Sequence, residues 1–149
     1  MTLQEKINAA VISAMKTKDE ASLRALRGIK SALLLAASEP GANGMVSDEN
    51  ALKIFQKLAK QRKESLDIYL QNNRNDLAKV EQEELTVIES YLPKQMDESE
   101  IKAILQQVVS EAGAGSAADF GKVMPLAMKA MAGKADGKII SAILKQILG

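Results

Sequence analysis

Apolar residues recur every three or four positions along almost the whole chain. Leu3, Ile7, Ala10, Val11, Ala14 and Met15 define a first helix, broken at Lys18-Asp19. Asp19 is placed to cap a second helix, with Ala21, Leu23, Leu26, Ile29, Leu33, Leu34 and Ala37 on its buried side. Pro40, Gly41 and Gly44 make a loop. Ser47 caps a third helix, expected to run to about Leu70, and Asp48 and Glu49 suit its positive end. Asn72-Asn73 forms a turn, because Asn tolerates left-handed backbone angles. A fourth helix carries Leu77, Val80, Glu84, Leu85, Ile88 and Tyr91 on one side and ends before Pro93.

A second cycle begins at Asp97, which with Glu100 has the spacing of a capping box. Ile101, Ile104, Leu105, Val108 and Val109 form the stripe of the next helix, closed by Gly113 and Gly115. Ser116 with Asp119 offers another cap. Phe120, Val123, Met124, Ala127, Met128 and Met131 line a Met-rich helix. Pro125 lies inside it and predicts a kink or a fresh helix start, since proline donates no hydrogen bond. Gly133 closes this helix and Asp136 caps the last, in which Ile139, Ile140, Ile143, Leu144, Ile147 and Leu148 face the core. No segment alternates with period two. The expectation is an all-α protein: an N-terminal four-helix unit over 1–93, followed by a C-terminal three-helix bundle over 94–149. Each unit is near the size of marginal isolated stability, so the two are expected to pack on each other.

Composition then removes chemistry. Among 149 residues there is no cysteine and no histidine. Thiolate nucleophiles, Cys-ligated zinc and any His-based triad are impossible. Lys, Asp, Glu and Tyr remain, so catalysis is disfavoured, and no catalytic residue, cofactor or metal site is expected. No apolar segment has the length of a membrane span, and the first helix mixes Glu5 with Lys6, Lys16 and Lys18. A cytoplasmic location follows as the default.

Net charge is only +1. From Gly113 onward, however, Lys122, Lys129, Lys134, Lys138 and Lys145 face only Asp119 and Asp136. This is a weak local cation patch, open to reading as solvated lysines or as a phosphate-contacting surface. Arg24, Arg27 and Lys30 share one face of the second helix, a solvated face or a second basic strip. Arg62 falls on the apolar stripe of the third helix, seven residues from both Phe55 and Tyr69. A cation there needs a partner, such as Glu84, or serves as an anion contact in a groove between the units. Met124, Met128 and Met131 are core filler or an adaptable binding surface. Gly115 to Gly121-Lys122 fails as a phosphate-binding loop: five residues intervene where four are needed, and Val123 replaces Ser or Thr.

Six segments together resemble one family. They are Leu26-Arg27-Gly28-Ile29-Lys30-Ser31-Ala32, Gln61-Arg62-Lys63-Glu64-Ser65, Asn73-Arg74-Asn75-Asp76-Leu77-Ala78, Tyr91-Leu92-Pro93-Lys94-Gln95-Met96, Asp119-Phe120-Gly121-Lys122-Val123-Met124 and Gly133-Lys134-Ala135-Asp136-Gly137-Lys138. In this order they cover nearly the whole chain and resemble the YqeY-like family (GatB/YqeY domain). That family is a stand-alone relative of the tail domain of the aspartyl/glutamyl-tRNA amidotransferase B subunit. The resemblance implies two helical units. It also implies a tail that helps hold tRNA while a separate domain, absent here, performs the amidation. Carried over by position, the nucleic-acid contacts are Lys122, Lys134 and Lys138 with Gly121, Gly133 and Gly137. Arg24, Arg27, Lys30 and Arg62 are groove or basic-strip candidates. Asn73 and Pro125 stand where the family commonly has Gly, and Pro125 obstructs backbone approach to RNA at its own position. The implied partner is tRNA, bound weakly and with salt sensitivity. Two alternatives are a module docking a partner helix or tRNA-synthesis or amidotransferase protein, and a component of a carbon–nitrogen ligase with glutamine as amido-N-donor.

Overall fold

Five of the seven α-helices begin where a short polar side chain takes an orphan amide; the fourth and the sixth start without one. In the computed structural model, which describes residues 1–149, Thr2 Oγ1 accepts from the Glu5 amide at 3.1 Å. Glu5 Oε2 accepts from the Thr2 amide in return. This box starts α1 (Leu3–Thr17). Lys18 turns left-handed at φ 56°, and Asp19 at once caps α2 (Glu20–Ala37) through the Ser22 amide. Ser47 caps α3 (Asp48–Gln71) through the Asn50 amide. Asn73, at φ 56°, reverses the chain into α4 (Asn75–Glu89). The chain is all-helical, with seven α-helices and no strand.

By its contacts the chain divides into two compact units, Met1–Leu92 and Pro93–Gly149. The first holds α1 to α4 around Ile7, Leu26, Ile29, Leu33, Phe55, Leu85 and Ile88. Phe55 is fully buried between Ala51 and Ala59 of its own helix, and its ring meets that of Tyr91 at 6.2 Å. The Leu3 amide donates to Asp48 Oδ1 at 2.9 Å, which fixes the start of α1 against the start of α3. Leu34 differs from expectation: it is 54% exposed. Leu26, Ile29, Leu33 and Ala37 already complete the buried stripe, and Leu34 stands about 100° round the helix from Leu33. Met15 is exposed on α1 for the same reason of phase.

The second unit holds α5 (Glu98–Ala112), a 3₁₀ turn (Ala117–Asp119), α6 (Phe120–Ala130) and α7 (Gly137–Leu148). Asp97 and Glu100 form the capping box of α5, and Gly113 closes it at φ 67°. Ile101, Leu105, Val123, Ala127, Met131, Ile140 and Leu144 are the centre of its core. The methionine stripe splits: Met131 is fully buried, while Met128 lies at the surface. Ile139 is likewise exposed, since Ile140, Ile143 and Leu144 fill the inward face of α7. Pro125 does not start a helix. α6 begins at Phe120 and runs through it, with Pro125 itself exposed.

Candidate nucleic-acid interface

Between α6 and α7 the burial alternates. Met131, Gly133 and Ala135 are buried, and Ala132 and Lys134 are exposed. Gly133 sits at φ 75°, where a side chain would be strained. The Lys134 amide donates to the Met131 carbonyl at 3.0 Å, while the Lys134 carbonyl accepts from the Met96 amide at 2.8 Å. Gln95 Nε2 donates to the carbonyls of Gly133 and Pro93, both at 2.8 Å. The backbone of the turn is thus fixed inward on both sides of Lys134, and its side chain is directed out.

At the far end of the turn, Asp136 caps α7, its Oδ1 accepting from the Lys138 amide at 2.9 Å. The positive end of α7 is therefore answered by a carboxylate of this chain. The exposed cations at this end are the ammonium groups of Lys134 and Lys138. Gly137 is also tight within its own unit: a Cβ there would stand 3.2 Å from Met128 Cε. Its small size admits a methionine of the same unit.

The other positional candidates are arranged differently. Lys122 Nζ donates to the Ala112 carbonyl at 3.0 Å, so it closes the C-terminus of α5. Gly121 faces open space. Asp119 accepts from the Gly115 and Ser116 amides at 2.9 and 3.3 Å. These bonds hold its carboxyl below the ordinary carboxylate value, the Gly115 amide contributing most.

In the first unit two of the four candidate cations, Arg24 and Arg62, are paired. Arg62 Nη1 lies 2.9 Å from Glu84 Oε2 and 3.1 Å from Glu81 Oε2. Arg24 reaches Glu83 and Glu84 at 3.0 and 3.1 Å. The pairing of Arg62 with a helix-four glutamate follows from its place on the apolar stripe. Arg24 departs from the strip it was grouped with, since two carboxylates of α4 hold it. Arg27 remains exposed, and Lys30 is half-buried. Sequence reasoning missed Gln95 and Met96 as supports of the lysine turn. Thirty-eight residues separate Gln95 from Gly133, and no periodicity spans that gap.

Two helical units and a lysine turn on a hydrogen-bonded backbone make a small all-α scaffold. The chain matches the model of the Yqey-like protein family over residues 4–148, and it belongs to that YqeY-like family. It is similar to "Altered inheritance of mitochondria protein 41, mitochondrial" of Lachancea thermotolerans, with 36% identity over 101 residues, 66% of this chain and 53% of the relative. The protein of that name in Saccharomyces cerevisiae is 34% identical over 107 residues, 67% of this chain and 57% of the relative. That of Vanderwaltozyma polyspora is 40% identical over 80 residues, covering 53% and 42%. The chain spans about half the length of the curated relatives it matches. Those relatives are mitochondrial by name. In this chain no helix is long and apolar enough to cross a membrane.

Proposed function

We propose that this protein is a tRNA-binding accessory module whose contact surface is the turn between α6 and α7. The observation that carries it is Lys134: exposed, yet flanked by buried Gly133 and Ala135 and tied by its own carbonyl. A cation on a fixed backbone meets a phosphate with little loss of chain entropy. Lys138, also exposed, adds a second contact. Recognition is of RNA shape and backbone. Residues 1–93 then serve as the N-terminal helical domain and 94–149 as the tail-like domain. This reading assigns no amidation, hence no carbon–nitrogen ligase step, to this chain alone. It requires only an aqueous compartment, the cytoplasm or the interior of a mitochondrion.

Titration of fluorescent tRNA at low and moderate salt, with matched duplex RNA as competitor, tests it. Saturable, tRNA-preferring binding that weakens with salt is expected. Lys134→Ala with Lys138→Ala should lower affinity about tenfold or more and reduce the salt slope by about two. Unchanged affinity in that double variant would overturn the reading.

A second reading has its own observation. Leu126, Met128 and Ile139 of the same unit are exposed, and Met128 lies against Gly137 at the edge of the turn. Exposed apolar side chains beside cations suit a docked partner helix, such as one from a tRNA-synthesis or amidotransferase protein. Retention of a partner from ribonuclease-treated lysate, lost on Leu126→Ser but not on Lys134→Ala, would favour it over the first.

A further inference from the structure

We infer that Gln95 is a positioning residue for the lysine turn: the segment after Pro93 is a clip that holds the Gly133–Lys134 backbone and so sets the direction of the Lys134 ammonium. Its effect on RNA affinity rests on the tRNA-binding reading; its effect on the turn does not.

Gly133 and Lys134 lie outside both flanking helices, and their carbonyls accept from Gln95 and Met96 rather than from either helix ladder. Gly133 is buried, and a buried carbonyl left without a donor is costly. That donor is Gln95 Nε2. Its two hydrogens are divided between Gly133 and Pro93, each at 2.8 Å. One residue on, the Met96 amide supplies the Lys134 carbonyl at 2.8 Å. Met96 packs its side chain against the core of the second unit, and Asp97 begins the capping box of α5. The clip is therefore anchored on its C-terminal side by a helix and on its N-terminal side by Pro93, whose ring fixes φ. Within the turn itself, the Lys134 amide also donates to the Met131 carbonyl at 3.0 Å. Glutamate at 95, of the same shape as glutamine, would aim a carboxylate at two carbonyl oxygens.

The test uses the full chain with Gln95→Ala and Gln95→Glu, each checked for retained helix content by circular dichroism. Hydrogen exchange at the Met96 amide should quicken about three- to tenfold in Gln95→Ala, the loss expected of one net hydrogen bond, and more in Gln95→Glu. tRNA affinity should fall about three- to tenfold in Gln95→Ala. Adding Lys134→Ala should then cost less than it does in the wild type, because both changes disable the same contact. Met96 exchange unchanged in Gln95→Ala overturns the inference, as does strict additivity of the two losses in affinity. If the wild type binds no tRNA, the functional reading fails. The clip is then still decided by Met96 exchange and by the amide resonances of Lys134 and Ala135, which should shift in Gln95→Ala; unshifted resonances overturn it.

Discussion

Arg62 on α3 and Glu84 on α4 meet at 2.9 Å, and the second oxygen of the same Glu84 accepts from Arg24 on α2 at 3.1 Å. One carboxylate thus joins three helices. Beside it, Glu81 is only 9% exposed, with Arg62 as its ion-pair partner.

Removing Arg62 leaves that carboxylate buried without its cation. Arg62→Ala should cost about 1–3 kcal/mol, read as a lowered urea midpoint. Adding Glu81→Gln should restore part of the loss, because the stranded charge disappears. Arg24→Ala should cost under about 1 kcal/mol, since the Arg24 side chain is 43% exposed and its pairs are screened. Equal losses for the two arginines would contradict the assignment of Arg62 as the interior partner.

Lys122 is engaged within the fold, whereas Lys134 is the contact of the proposed function. Lys122→Ala should lower stability by about 0.5–1 kcal/mol through loss of the Ala112 contact. The same variant should leave tRNA affinity near the wild-type value while Lys134→Ala lowers it. A loss of affinity for Lys122→Ala as large as for Lys134→Ala would place Lys122 among the RNA contacts.

The two glycines of the lysine turn should respond unequally to alanine. At Gly133 the backbone is left-handed, and Gly133→Ala should cost about 1–2 kcal/mol. At Gly137 the obstacle is the end of a flexible methionine side chain, and Gly137→Ala should stay within about 1 kcal/mol of wild type. Thermal melts of the two variants side by side decide it, and a reversed order would contradict the described backbone.

Asp119 should make the second unit acid-sensitive. Its folded pKa lies below the ordinary 3.8 because the Gly115 and Ser116 amides favour the carboxylate. A carboxyl with a depressed folded pKa stabilises the fold above its unfolded value, and the contribution is lost as pH falls through the folded value. Asp119→Asn should therefore melt below wild type at pH 7. The gap should close as the pH drops below about 3.8. A gap that is constant with pH would mean that Asp119 acts by shape alone.

The helices were readable because their signals are local. Thr2 apart, the capping side chains Asp19, Ser47, Asp97 and Asp136 could be picked out by type and spacing, and each accepts the expected amide. Arg62 was readable because a cation on an apolar stripe demands a partner. Leu34 and Ile139 turn outward because each stands about 100° round the helix from its buried neighbour, at the edge of the stripe, and spacing alone does not say on which side the stripe ends. The Lys122–Ala112 and Gln95–Gly133 bonds were not readable. They depend on where chain segments return after a turn, and no residue type announces that.

The Phe55–Tyr91 contact has an optical consequence. Both tyrosines, Tyr69 and Tyr91, lie in Met1–Leu92, the chain has no tryptophan, and the one aromatic ring of Pro93–Gly149 is Phe120. Tyrosine emission is a private signal of the first unit, whereas far-ultraviolet dichroism sums the helices of both. A melt followed by the two signals on one sample is thus a built-in test of cooperativity. Superimposed curves mean that the chain unfolds as one piece, and separated curves mean that the lysine turn belongs to a unit with a melting temperature of its own.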